Sequence, residues 1–346
     1  MKTIKVLLLG LVGVAVIGVV GIIAYLNLSQ DAPHFAGVCE ALELDGSAED
    51  IQIDREHGLA YLSVIDRRAL ASGGDVQGKI MRLDLNSDTP RLEPAIIDPP
   101  GHFRPHGISL FIDDKGLRSL IAINHPVDRT TGKNLIELFH ETRRGLFRHV
   151  DTFSHPLMKN PNDLVAVGPR QFYVANDNGA ARDGSLTNLV YFDGVSAIAV
   201  ADDIASGGGI NVSADGNTLY VSETGGKVMR VLSRDPADGS VTTIDRIELG
   251  TSPDNIDVAE DGSLWIGAHS NLLALVLHFI AGTDAPSQVL RVEIDDADDV
   301  MIDEIYLNRG EEISASSVGV TYGNKLLIGS ITAPKILICE MDSTGQ

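Results

Sequence analysis

Basic residues are what this 346-residue chain most conspicuously runs short of. Its 27 Lys and Arg stand against 48 Asp and Glu, a formal charge of −21. No basic cluster in the body offsets that balance, which excludes a nucleic-acid surface. It leaves a solvated acidic exterior or a surface suited to cations. Cysteine is nearly absent, with only Cys39 and Cys339, so neither a thiolate metal cluster nor a disulfide-dense scaffold can be built. The short signatures of common chemistries are missing too: no GxxxxGK[ST] loop, no GxSxG elbow, no HExxH helix and no paired CxxC. ASGGDVQG and GGGIN lack the strand-to-helix setting of a dinucleotide site, and the DDADD run at 295–299 lacks the Gly and closing Glu of an EF-hand.

What fills the chain instead is short runs of period-two alternation separated by turn residues, which predicts strands rather than helices. One opening recurs roughly every fifty residues, a spacing characteristic of propeller blades. A polar residue, oxygen-bearing in every case but His106, leads into a short strand at Glu49-Asp50, His106-Gly107, Asn162-Asp163, Gly209-Ile210-Asn211 and Asp254-Asn255. The fold class expected is therefore all-β, a six-bladed β-propeller preceded by an N-terminal hydrophobic helix. VCEALELDG reads as a closing strand, and the sixth blade gathers MIDEIYLN, SSVGVTYGNKLLIGS and KILICEM. The apolar NLLALVLHFI reads either as a hydrophobic loop plus strand near the site mouth or as a core strand.

A single apolar stretch is long enough to cross a bilayer: Val6 to Leu28 carries no charge and follows Lys2 and Lys5. Those lysines orient the N-terminus inward and the body outward. The expected organisation is residues 1–30 as an uncleaved membrane anchor or signal and residues 31–346 as the propeller. The body would then be periplasmic or extracellular, or secreted if the N-terminus is cleaved. In such a compartment Cys39 and Cys339 would tie the first strand to the last; the other reading is two unrelated buried thiols.

Equivalent positions of successive blades converge on one axis, so the polar openings would form a ring. Glu49, Asn162, Asn211, Asp254 and Asn255 supply the hard oxygens that calcium takes, with two carboxylates and three uncharged carboxamides. The competing reading is that each caps a turn. Asp50 and Asp163 adjoin two of these residues and, pointing the other way in extended backbone, would hold a second ion deeper in. His106, His125 and His269 lie at element ends, where a neutral imidazole can serve as a general base or simply pack.

At this level of detail RPHGIS, AINHP, PNDLVAVG, GINVSADG, PDNIDV, LWIGAH and KLLIGS, with the two distant cysteines, resemble the paraoxonase/arylesterase family over residues 38 to 341. The resemblance implies a calcium-dependent propeller hydrolase of lactones, aryl esters and sometimes organophosphates. It implies a catalytic calcium on Glu49, Asn162, Asn211, Asp254 and Asn255, and a structural calcium on Asp50, Asp163 and the main-chain carbonyl of Ile108. It further implies a histidine pair, His106 and His125, with His269 in the pocket wall. The chain departs from the mammalian pattern at Asn178, where those members carry histidine after Asn-Asp. Its following loop is also shorter, without the aromatic helix that contacts lipoprotein. The substrate expected is a small lactone or ester, with an apolar tail against Leu272 to Phe279. Either His106 or a carboxylate, Glu49 or Asp254, would help the attacking water. The alternative function is a membrane-tethered, non-catalytic propeller that binds a ligand or protein; a sugar-lactonase or strictosidine-synthase-like propeller is disfavoured by the Asn-Asp pairs and the cysteines.

Overall fold

The computed structural model describes residues 32–127, 132–179, 184–295 and 299–342. The anchor expected over 1–30 lies outside them, and among the described residues no helix is long and apolar enough to cross a membrane. The described residues form six sheets, antiparallel throughout except where Ile96–Ile97 pairs in parallel with Leu146–Phe153. Their innermost strands are Ser47–Asp54, Pro105–Ile112, Pro161–Ala166, Gly207–Val212, Ser252–Val258 and Ser316–Tyr322. Each inner strand packs beside the next, and the sixth returns to the first, closing the ring of a β-propeller.

Alternation explains the packing. Residues that point away from one sheet meet those of its neighbour, so apolar cores fill the wedges between blades. Tyr61, Ile80, Phe103, Leu120, Phe139 and Phe147 form one such wedge between the first and second blades. Ile121, Ile136, Leu164, Phe172 and Val190 form the next. Because every blade is covered on both faces, its inner strands are buried almost throughout, and polar residues found there need a specific partner.

Closure uses the N-terminal strand Gly37–Glu43, which becomes the outermost strand of the sixth blade beside Lys335–Met341. Cys39 and Cys339 face each other in that pairing and are joined as a disulfide spanning 300 residues of sequence. Two expectations need correction. MIDEIYLN does not belong to the sixth blade: Val300–Asn308 is the fourth strand of the fifth, paired with Ser287–Ile294 on one side and with the two-residue strand His34–Phe35 on the other. The sixth blade obtains its fourth strand from the N-terminus instead. NLLALVLHFI is neither loop nor strand but the α-helix Leu272–Ala281, begun by the Asn271 side chain accepting the Ala274 N–H and ended by Gly282 in the left-handed conformation. A polar cap before and a glycine after override the apolar run's resemblance to a strand.

Candidate active site

All six inner strands share one irregularity, and it lies where the sequence places its polar openings. Between Ala48 and Ile51 the first strand has one residue more than its partner, which runs from Val64 to Leu62. The same insertion occurs between Pro105 and Ile108, Pro161 and Leu164, Gly207 and Ile210, Pro253 and Ile256, and Ser316 and Gly319. Each is a β-bulge, a device that re-aims side chains by breaking strict alternation. Six bulges at one height make layers. The first holds Glu49, His106, Asn162, Gly208, Asp254 and Ser317; the second holds Asp50, Gly107, Asp163, Gly209, Asn255 and Val318. Simple alternation therefore does not separate Glu49 from Asp50 or Asn162 from Asp163. The bulge does.

The glycines of the second layer make room for their neighbours. A Cβ on Gly107 would lie 2.3 Å from Asp163 Oδ1 and 2.6 Å from its Cα; one on Gly209 would lie 2.5 Å from the Asn255 Cα. Asp163 and Asn255 can thus approach the axis. Two second-layer carboxylates also stitch one blade to the next. Asp50 accepts the Ile108 N–H at 2.7 Å, and Asp163 accepts the Ile210 N–H at 2.8 Å.

The carboxamides are held so that their oxygens, not their nitrogens, are left over. Asn255 donates to the Glu49 carbonyl at 2.9 Å and to Glu49 Oε1 at 3.0 Å. Asn162 donates to Asp177 Oδ2 at 3.0 Å. Glu49 Oε2, Asn162 Oδ1 and Asn255 Oδ1 are then buried acceptors without a hydrogen-bond donor. Several unsatisfied oxygens in two adjoining layers would be costly unless a cation met them. Among the described residues no three His, Cys, Asp or Glu side chains close into a ready-made metal cage; the donors here are divided between carboxylates and carboxamides.

Electrostatics point the same way. Burial pushes Glu49 up to about 8, against the lowering pull of Arg67 and helped by the charges of Asp254 and Asp50. Burial likewise pushes Asp50 up to about 7, against hydrogen bonds from the Ile108 and Ile51 amides. Asp163 lies well above the ordinary carboxylate range through burial and the charge of Asp50. Such a cluster resists ionising without a positive partner.

The histidines lie beside this cluster. His106 Nε2 is 3.5 Å from Glu49 Oε2, and His106 Nδ1 is 3.1 Å from His125 Nε2. His269 Nε2 is 3.1 Å from Asp254 Oδ2. The structure does not bring Asn211 into the two layers. It sits one step past Ile210, donating to the Ile256 carbonyl at 2.8 Å while its own oxygen accepts the Val212 N–H. Gly208 occupies the first-layer position of that blade, and the Thr224 hydroxyl, which donates to the Pro253 carbonyl, lies 2.5 Å from where its Cβ would be. Ile108 is present through its N–H to Asp50. Sequence reasoning missed Asp177, Asn134 and Arg67, whose Nη2 is 3.8 Å from Glu49 Oε2. None belongs to a polar opening: Asn134 and Asp177 flank strands of their blades, and Arg67 opens the short helix Arg67–Ala71.

Residues 38–341 match the Arylesterase family. Rat serum paraoxonase/arylesterase 2 is 32% identical over 318 residues, 86% of this chain and 87% of the rat protein. The chain belongs to the paraoxonase/arylesterase family. Human serum paraoxonase/lactonase 3 is 31% identical over 319 residues, 86% of this chain and 87% of that protein. A luciferin-regenerating enzyme of known structure shares 13% identity at a TM-score of 0.56, covering 90% of this chain and 96% of its own, which places the paraoxonase/arylesterase chain on a propeller fold and no more.

Proposed function

We propose that this chain is a calcium-dependent hydrolase of lactones, and of aryl esters within the reach of its pocket. The observation that carries the reading is the trio of buried, donor-less oxygens on Glu49, Asn162 and Asn255. Their donor set is the hard-oxygen type that calcium selects. Glu49, Asn162, Asp254 and Asn255 would hold an outer calcium, and Asp50 and Asp163 an inner one, two per chain. Asn211, occupied with neighbouring main chain, is not required for either. The Ile108 carbonyl completes the proposed inner set. Bound calcium would supply Lewis acidity toward a carbonyl oxygen and neutralise the buried carboxylates.

The protein's own groups would do the rest. His106, a member of the first layer, would take a proton from the attacking water, while His269, 3.1 Å from Asp254 Oδ2, would hold that carboxylate in place. The helix Leu272–Ala281 begins three residues after His269 and exposes Leu272, Leu273 and Phe279, an apolar wall suited to the tail of a lactone. The names of the relatives, arylesterase and lactonase, support the substrate class. The apolar N-terminus and the disulfide support a propeller held at a membrane outside the cytoplasm. The test is a panel of lactones, aryl esters and phosphotriesters assayed with calcium and with chelator. Turnover of lactones that chelation abolishes is expected; no turnover across the panel with calcium present would leave the non-catalytic binder as the better reading.

A further inference from the structure

Beyond the histidine pair itself, we propose that Asn134 is a positioning residue that fixes where the protons of both imidazoles sit, and so which nitrogen of His106 faces the buried carboxylate. This rests on the reading of His106 as the base, but its geometry stands apart from any substrate. Asn134 immediately precedes the strand Leu135–Arg143 and is 6% exposed. Its Nδ2 is 2.7 Å from the Lys159 carbonyl, and its Oδ1 is 2.7 Å from His125 Nδ1. A main-chain carbonyl only accepts, so the atom facing Lys159 must be the amide nitrogen and the atom facing His125 the oxygen.

The rest follows by polarity. An amide oxygen cannot donate, so His125 must carry its proton on Nδ1. Its Nε2 is then an acceptor, and the 3.1 Å contact to His106 Nδ1 requires His106 to be the donor. His106 is therefore protonated on Nδ1, and its Nε2, 3.5 Å from Glu49 Oε2, presents a lone pair. In the opposite polarity Asn134 would have to turn its oxygen toward the Lys159 carbonyl, setting two acceptors 2.7 Å apart. When His106 Nε2 takes a proton from water it keeps the one on Nδ1. The resulting imidazolium stays hydrogen-bonded to His125 Nε2, and hydroxide is the species released to the carbonyl. The chain Lys159 carbonyl, Asn134, His125, His106 thus orients one lone pair from outside the site, as other partners of functional histidines do.

The experiment is ¹⁵N imidazole NMR on calcium-loaded, histidine-labelled full-length protein, with signals assigned through His106→Gln and His125→Gln. Both residues should show the Nδ1–H tautomer. Asn134→Leu should shift His125 toward the Nε2–H form and lower kcat about 10²-fold or more with KM little changed; Asn134→Asp, which keeps an acceptor toward His125 but sets a second oxygen against the Lys159 carbonyl, should retain the parent tautomers at a lower Tm. An Nε2–H signal for either histidine in the parent overturns the inference, even if lactones are hydrolysed. So does Asn134→Leu with unaltered tautomers. If Asn134→Leu fails to fold, the parent and Asn134→Asp spectra still decide. Parent tautomers as stated in a protein that hydrolyses nothing would support this assignment and defeat only the lactonase reading.

Discussion

Asn255 donates to both the main chain and the side chain of Glu49, at 2.9 and 3.0 Å, across 206 residues of sequence. The amide group is thereby pinned with its oxygen turned away from Glu49, and the two residues act as one unit at the centre of the ring.

That unit should respond to calcium and protons in opposition. Glu49 and Asp50 have folded values near 8 and 7, above 4.5 and 3.8 for the free groups. Raised values mean that the calcium-free fold binds more protons than the unfolded chain, so its stability falls as pH rises from about 4 through 8. With chelator present, Tm should drop between pH 5 and 8. Added calcium should raise Tm most at the alkaline end, where protons compete least. A chelated protein that grows more stable with rising pH would contradict this.

Asp177 orients Asn162 and also accepts from Asn160 and from the Gly179 N–H. Asp177→Ala should leave Asn162 free to rotate and weaken calcium binding by about 10- to 100-fold. Asn211→Ala should change calcium affinity far less, since Asn211 serves its neighbours' main chain. Calorimetric titration of both variants would separate them.

Gly107 has room for no side chain beside Asp163. Gly107→Ala should cost about 1–3 kcal/mol of stability through overpacking, together with loss of the inner ion. Gly101, where an added methyl group would meet nothing within 4 Å, is the control, and Gly101→Ala should be close to neutral. Urea unfolding and metal content on the same samples measure both effects.

His106→Gln leaves every proposed calcium ligand in place. It should lower lactone turnover by about 10²- to 10⁴-fold if His106 is the base. Calcium content and Tm must match the parent. Near-normal turnover in such a sample would transfer the role to a carboxylate, with Glu49 the nearest.

The disulfide should matter to the fold rather than to the chemistry. Closing 300 residues is worth roughly 5 to 6 kcal/mol in the chain-entropy account. Replacing both Cys39 and Cys339 with serine should lower the denaturation midpoint markedly, with kcat nearly unchanged. A large fall in kcat at full folding would show that the closure reaches the site.

The sequence by itself determined the repeating strand unit, the number of blades, the closing strand and most of the residues that meet at the axis. Those are local matters: alternation, turn residues and a recurring polar opening are written within a dozen residues of each other. Tertiary structure decided what depends on counting residues across two strands at once. Whether Glu49 and Asp50 face opposite ways is set by one extra residue opposite Ser63, and that bulge exists only in the pairing. The same counting puts Gly208, not Asn211, at the level of Asn162. It also brings in Asn134 and Asp177, whose partners lie in other strands and loops and leave no periodic trace. The helix at Leu272–Ala281 marks the same boundary, since an apolar run carries no period of its own and only its caps and its packing choose between helix and strand.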